Sequence, residues 1–168
     1  MVDPPSPTGV TIVVSDEQDE VTVDASRWAS LAHDVLVAEH HQGELTLTFV
    51  DREEMANLNA EHMHEMGATD VLSFPLDAAD HGDAGPGPVL LGDVVVCPAV
   101  AAENAPTHAG TIDDELALLV VHGVLHVLGH DHAEPDETAM MRSREIEHLT
   151  AHHWRGPAPS SFHQDQQQ

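Results

Sequence analysis

Several residue types that commonly build or stabilise a small domain are scarce in this chain of 168 residues. It has one cysteine, Cys97, so a disulfide within the chain is excluded, and a lone thiol is typical of a reducing compartment. Tyrosine is absent and aromatic residues make up only 3% of the chain. Because 41% of the residues are nevertheless hydrophobic, we expect one domain whose core consists of Val, Leu, Ala and Met.

Long apolar runs are missing as well. The longest, at 116–121, stops at His122 and falls far short of the roughly 20 residues that a membrane helix needs. The first ten residues, MVDPPSPTGV, contain neither a basic stretch nor an apolar stretch of the kind found in signal peptides. We therefore expect a cytoplasmic protein that does not associate with membranes.

Positive charge is the third scarcity. The chain has no lysine and five arginines against 30 Asp and Glu residues, which gives a formal net charge of −25. Such a charge repels polyanions and argues against a free-standing nucleic-acid-binding protein, DNA-binding proteins included. We interpret it as a compositional bias, such as adaptation to salt, in preference to a specific functional role.

The hydrophobic pattern predicts an α+β domain with a small mixed β-sheet of about four strands and about five helices. We predict a single domain over residues 1–153, an exposed loop at 77–88 and a disordered polar tail at 154–168. The predicted strands are residues 10–14, 44–50, 71–76 and 89–97, and the predicted helices begin near residues 25, 51, 98, 111 and 135.

The stretch HGVLHVLGHDH at 122–132 carries the most chemistry. His122 and His126 are four residues apart, so on a helix they lie on one face and can share a zinc ion. The chain has 15 histidines, and other pairs have this spacing. The helix around His122 and His126 is strongly apolar, however, and two imidazoles are costly there without a partner.

A third ligand is expected just beyond this helix. Gly129 ends the helix and lets the chain turn back, so that either His130 or His132 could reach the ion. In a continued helix His130 would stand about 12 Å along the axis from His122. If the helix ends at Gly129, geometry leaves both open, and the metalloprotease-like spacing favours His132. We predict one zinc ion per chain, bound by His122, His126 and His132, with zinc-bound water as the catalytic group.

Metalloproteases with this spacing have a glutamate after the first histidine, where this chain has Gly123. Gly123 either lets a bulky strand approach the metal or packs against a neighbouring element. Asp131 either accepts a hydrogen bond from a ligand ring or is a solvated turn residue.

The chain resembles the YbeY family of bacterial rRNA maturation factors. The resemblance rests on three ordered motifs between about residues 44 and 149: LN at 58–59 followed by TDVLSFP at 69–75, LGDVVV at 91–96, and HGVLHVLGHDH. It implies a single-strand-specific, zinc-dependent endoribonuclease that acts in small-subunit rRNA maturation and ribosome quality control. The implied zinc ligands are His122, His126 and His132. The implied partners are small-subunit rRNA, ribosomal proteins and an assembly GTPase.

Two departures from the family accompany this resemblance. His130 stands where the family usually has tyrosine, and Met63 stands where many members have an arginine proposed to touch RNA. Two other hypotheses remain open: a zincin-type metallopeptidase that lacks the usual glutamate, and a non-enzymatic ribosome-assembly factor with a structural zinc.

Overall fold

The computed structural model describes residues 9–76, 89–130 and 134–164, so the loop predicted at 77–88 lies outside the described residues. Within the described ranges the chain forms four strands and five α-helices, which confirms the predicted α+β class. The strands are β1 (Val10–Glu17), β2 (Gly43–Val50), β3 (Val71–Pro75) and β4 (Leu90–Val96), and the helices are α1 (Ala25–Ala38), α2 (Arg52–Leu58), α3 (Pro98–Asn104), α4 (Ile112–Val127) and α5 (Pro135–His148).

The four strands form one mixed sheet in the order β1-β2-β4-β3. β1, β2 and β4 are parallel, and β3 is antiparallel to β4. Pro75 predicted an edge position for β3 because proline has no N–H to donate, and β3 is an edge strand. β1 continues to Glu17, beyond the predicted end at Val14, since its pairing with β2 extends through Asp16 and Glu17. Backbone pairing does not require apolar side chains, so the hydrophobic pattern underestimates the length of β1.

Apolar and polar side chains alternate along β2, so one face of the sheet packs in the core. Leu45, Leu47 and Phe49 are fully buried there, as their period of two predicts. α1 and α4 contribute the facing apolar side chains to the same core cluster. α4 is buried on almost all sides and contacts β3, β4, α1 and α5. It is thus the central helix of the domain, and it carries His122 and His126.

Capping side chains and an N-terminal proline mark the starts of three helices where the sequence predicts them. The Asp51 side chain accepts a hydrogen bond from the Glu54 N–H at 2.8 Å, and the Thr111 hydroxyl accepts one from the Asp114 N–H at 3.1 Å. Pro98 occupies the first turn of α3. The last helix, predicted to run to 152, is α-helical to His148 and continues as a π-helical turn, Leu149–Trp154.

Residues 162–164, which lie in the stretch expected to be disordered, contact the rest of the domain. Phe162 contacts Trp154 edge-on with ring centroids 4.8 Å apart, and the His163 N–H donates to the His108 carbonyl at 2.9 Å. The last four residues lie outside the described ranges. Within those ranges, no helix has the length and apolar character needed to cross a bilayer.

Candidate metal centre and adjoining cavity

α4 presents His122 and His126 side by side. The centroids of the two imidazole rings are 5.5 Å apart, with their planes inclined at 61°. Two imidazoles that bind one tetrahedral zinc ion have ring centroids roughly 5 Å apart, given Zn–N distances near 2.0–2.1 Å. The pair therefore fits two ligands of one ion, as the helical spacing predicted.

Glu145 on α5 supports this pair. His122 Nδ1 lies 2.7 Å from Glu145 Oε2, and only 4% of the Glu145 surface is exposed. A carboxylate accepts hydrogen bonds, so Glu145 holds the proton on Nδ1 and leaves Nε2 of His122 with its lone pair available to a metal. The Gln164 side chain donates to the other carboxylate oxygen of Glu145 at 2.7 Å.

Glu145 was missed in reading the sequence, although a signal for it exists. Met141, Glu145 and Leu149 recur every four residues, and all three are buried. A carboxylate on the core face of a helix needs a partner, because burying an unpaired charge is costly. That partner is His122, 23 residues earlier in the chain.

The chain turns at Gly129, as predicted. The Gly129 N–H donates to the His126 carbonyl and the His130 N–H to the Leu125 carbonyl, both at 3.0 Å, and Gly129 has a φ of 103°. This double hydrogen bond is a Schellman motif, in which glycine tolerates the left-handed backbone.

His130 is directed toward α1. Its Nε2 lies 3.8 Å from Glu39 Oε1, and Glu39 also accepts hydrogen bonds from Arg144 and His148. Asp131 and His132 lie outside the described residues. Among the described residues, no three metal-binding side chains converge, so the assignment of His132 as third ligand stays a prediction.

Gly123 packs against the sheet. A Cβ atom at this position would lie 2.6 Å from Val94 Cγ1 and 3.3 Å from Ser73 Oγ. The Ser73 hydroxyl also donates to the Gly123 carbonyl at 3.3 Å. Of the two readings of Gly123, close packing is therefore the one that the structure supports. Ser73 belongs to the motif TDVLSFP and Val94 to the motif LGDVVV, so α4 packs directly on the strands that carry these two motifs.

A cavity of about 360 Å³ adjoins His122 between α4, α5 and the start of β3. Its walls combine apolar side chains with titratable groups. They include Asp70, His108, Leu118, Leu119, Met141, Arg142 and Glu145.

The charges around the cavity are strongly coupled. His108 Nδ1 lies 2.8 Å and 2.9 Å from the two oxygens of Glu115, which is fully buried. This hydrogen bond raises the pKa of the His108 imidazole above its usual value. Burial, followed by the charge of Glu115, raises the pKa of the Asp70 carboxyl. Both side chains thus keep a proton to higher pH than they would in water.

Met63 stands where the resemblance implies an arginine, so this position carries no positive charge. Met63 ends a π-helical turn, Asn59–Met63, and is 41% exposed. The Asn59 side chain of the LN motif is buried and donates to the Gly67 carbonyl at 2.9 Å. Asn59 therefore holds the chain that leads into TDVLSFP.

Comparisons with known proteins agree on one family. A family model described as Endoribonuclease YbeY matches residues 13–153. Endoribonuclease YbeY of Beutenbergia cavernae is 52% identical over 128 residues, which are 74% of this chain and 85% of that protein. Endoribonuclease YbeY of Mycolicibacterium vanbaalenii is 41% identical over 167 residues, which are 94% of this chain and 88% of that protein.

A solved structure has the same fold. The solution structure of TM1509 from Thermotoga maritima has a TM-score of 0.54 and 24% sequence identity, and the match covers 86% of this chain and 91% of that chain. The central α4 helix with its paired histidines, the strand motifs beneath it and these matches lead to one conclusion. The chain belongs to the endoribonuclease YbeY family.

Proposed function

We propose that this protein is a zinc-dependent endoribonuclease that cleaves single-stranded RNA during maturation and quality control of the small ribosomal subunit. The observation that carries the proposal is the His122–His126 pair with Glu145 behind it, in a chain of the endoribonuclease YbeY family. A carboxylate that orients a metal-binding histidine is the usual support of such ligands.

The proposed ligands of one zinc ion are His122, His126 and His132. Gly129 supports this set because it reverses the chain directly after α4, and the His130 ring points toward Glu39, with Nε2 3.8 Å from Oε1. A zinc ion with three histidine ligands and an open position supplies Lewis acidity and lowers the pKa of bound water.

The chain's own groups then bind and orient the RNA. Glu145 fixes the ring of His122, and the cavity beside it offers an apolar wall, Leu118 and Leu119, with polar groups around it. Asp70 and His108, whose pKa values are raised, also line this cavity and keep a proton to higher pH than they would in water.

Peptide hydrolysis is poorly supported by this site. It needs a base to activate water and an acid for the amine leaving group. A glutamate in place of Gly123 would place its Cβ 2.6 Å from Val94 Cγ1. The helix therefore has no room for the base of a zincin protease at that position.

The proposed partners are small-subunit rRNA, ribosomal proteins and an assembly GTPase. A chain with a net charge of −25 repels naked RNA at long range, so we expect it to bind free RNA weakly. Ribosomal proteins would supply the missing positive charge and present the single-stranded RNA to the site.

The proposal is tested by incubating zinc-loaded and zinc-stripped protein with small ribosomal subunits and mapping rRNA ends before and after. New ends that depend on zinc support the endoribonuclease. Absence of cleavage with zinc-loaded protein contradicts it. If the zinc-stripped protein still restores subunit assembly without any cleavage, the assembly-factor hypothesis with a structural zinc is correct instead.

A further inference from the structure

The C-terminal segment, residues 162–164, reaches the candidate metal centre from outside the stretch that the family model matches. Phe162 contacts the Trp154 ring edge-on, with ring centroids 4.8 Å apart. The His163 N–H donates to the His108 carbonyl at 2.9 Å. The end of a chain stays ordered where such contacts hold it, so these two contacts place Gln164 against α5 and beside the cavity.

The Gln164 amide bridges two acceptors of α5. Its Nε2 donates to the Arg142 carbonyl at 2.9 Å and to Glu145 Oε1 at 2.7 Å. An amide nitrogen has two hydrogens, so both bonds form at once. A carbonyl and a carboxylate only accept, which assigns the amide with its nitrogen toward α5. Because the Arg142 carbonyl belongs to the helix backbone, Gln164 fixes the Glu145 side chain to a rigid point.

The same carboxylate contacts the first candidate zinc ligand. Glu145 Oε2 lies 2.7 Å from His122 Nδ1, while Oε1 accepts from Gln164. The two oxygens thus have different partners, and Glu145 joins the C-terminal segment to α4. A glutamate has several rotatable bonds, and ordering them costs free energy. The bond from Gln164 orders this side chain in the folded protein before a metal binds.

We propose that Gln164 is a positioning residue of the metal centre, which acts through Glu145 to hold the His122 ring in the orientation that binds zinc. The inference rests on the proposed zinc-dependent function and adds to it a role for the C-terminal segment. Gln164 is one contact further from the metal than Glu145. Its removal therefore weakens zinc binding less than removal of Glu145 does, and has no effect once the Glu145 carboxylate is gone.

The test compares the full-length parent with Gln164→Met, Gln164→Ala and a matched control, Gln42→Met, each also combined with Glu145→Ala. Methionine keeps the length and unbranched shape of glutamine but has no hydrogen to donate. Gln42 is exposed and does not line the cavity beside His122. Titration of the zinc-loaded proteins with a chromophoric chelator measures zinc affinity. Visible spectra of the cobalt(II)-loaded proteins report ligand geometry, and thermal unfolding identifies a variant that does not fold.

We expect both Gln164 variants to bind zinc about three- to tenfold more weakly, the effect of one hydrogen bond, and to show altered cobalt(II) bands. Combined with Glu145→Ala, the same substitutions should change zinc affinity by less than about twofold, as expected when the group through which they act is absent. Gln42→Met should match the parent throughout. A purely structural role of Gln164 would lower the unfolding temperature in both backgrounds and leave the cobalt(II) bands unchanged.

Three results would overturn the inference: parent-like zinc affinity in both Gln164 variants, a loss in Gln164→Ala alone, or a loss that persists in full beside Glu145→Ala. The second would assign the effect to packing, and the third to a route that bypasses Glu145. If one Gln164 variant does not fold, the zinc affinity of the other decides.

Failure of the proposed function gives a different result. If the parent binds zinc no better than His122→Ala and does not cleave rRNA in small subunits, the metal centre and the endoribonuclease are both wrong. If the parent cleaves rRNA with zinc and the Gln164 variants match its affinity, only the role of Gln164 is wrong.

Discussion

At the scale of single residues, Glu145 determines how the His122 ring can be used. The 2.7 Å contact occupies Nδ1, so only Nε2 can bind a metal. His130 Nε2 lies near another carboxylate, at 3.8 Å from Glu39 Oε1. The roles of these histidines thus follow from their carboxylate partners, and three predictions concern such pairs.

The first prediction separates the two candidates for the third zinc ligand. His132→Ala should lose most of the bound zinc, because a site left with His122 and His126 has only two protein ligands. His130→Ala should retain one zinc ion per chain, since His130 faces Glu39. Elemental analysis of both purified variants measures this directly. Full zinc in His132→Ala together with loss in His130→Ala would overturn the assignment.

The second prediction concerns Glu145. Glu145→Ala should weaken zinc binding about 10- to 100-fold, because the proton on His122 Nδ1 loses its acceptor and the ring loses its orientation. Competition with a chromophoric chelator measures the affinity. Glu147→Ala, an exposed carboxylate on the same helix, is the control and should bind zinc as the parent does. Equal affinities of Glu145→Ala and the parent would show that the carboxylate does not support the ligand.

The third prediction follows from the raised pKa of His108. The folded-state pKa lies above the unfolded value of about 6.5, so the bond to Glu115 stabilises the fold fully below that pH. This contribution is lost as the pH rises through the folded-state pKa. Urea unfolding from about pH 6 to about pH 9 should therefore show the difference in unfolding free energy between parent and His108→Gln shrinking as the pH rises. The exposed His41→Gln serves as control, and a difference that is constant with pH contradicts the prediction.

At the scale of elements, the close approach of α4 to the sheet limits which side chains fit on the face of α4 that packs against β3 and β4. Gly123 lies where the helix meets Val94 of β4 and Ser73 of β3. Gly92 makes a second close approach, because a Cβ there would lie 2.7 Å from the Phe74 carbonyl oxygen and 2.9 Å from Val127 Cγ1. Glycines at both contacts let α4 sit directly on β3 and β4.

The fourth prediction tests this contact. Gly123→Ala should lower the free energy of unfolding by about 1–3 kcal/mol, since the added methyl group overpacks the interface and outweighs the better helix propensity of alanine. Denaturant unfolding measures it, with Gly156→Ala as control because the space there is open. A variant at least as stable as the parent would contradict close packing at Gly123. For the same reason Gly123→Glu should not turn over peptides, although it restores the protease motif.

At the scale of the whole molecule, the net charge affects how the protein associates with RNA. Carboxylates outnumber arginines 30 to 5, and Arg27, Arg52 and Arg144 are in ion pairs with carboxylates. The protein therefore does not attract a polyanion at long range, and we expect its encounter with RNA to depend on what else is bound to the RNA.

The fifth prediction puts this into numbers. Each phosphate contact on a single strand contributes about 0.7 to the slope of log affinity against log salt, so five contacts would give about −3.5. We expect a clearly shallower slope for free single-stranded RNA, and faster cleavage of rRNA in small subunits than of the same RNA free in solution. Titration across a salt series and paired rate measurements test the two parts. Tight binding with a slope steeper than about −3.5 contradicts the charge argument, and equal rates on both substrates contradict the dependence on partners.

The sequence by itself determined what near neighbours encode. The period of two in β2, the caps at Asp51 and Thr111, the turn at Gly129 and the pairing of His122 with His126 are each set within about one or two helical turns of chain. The three ordered motifs indicated the family, because together they span most of the domain. These features were therefore open to prediction without coordinates.

Only the tertiary structure decided which distant groups meet. Glu145 contacts His122 from 23 residues away, and His130 approaches Glu39 across most of the chain. The packing role of Gly123 depends likewise on where β3 and β4 pass beneath α4. Such contacts depend on how helices and sheet pack, and local periodicity carries no information about which buried carboxylate will face which histidine.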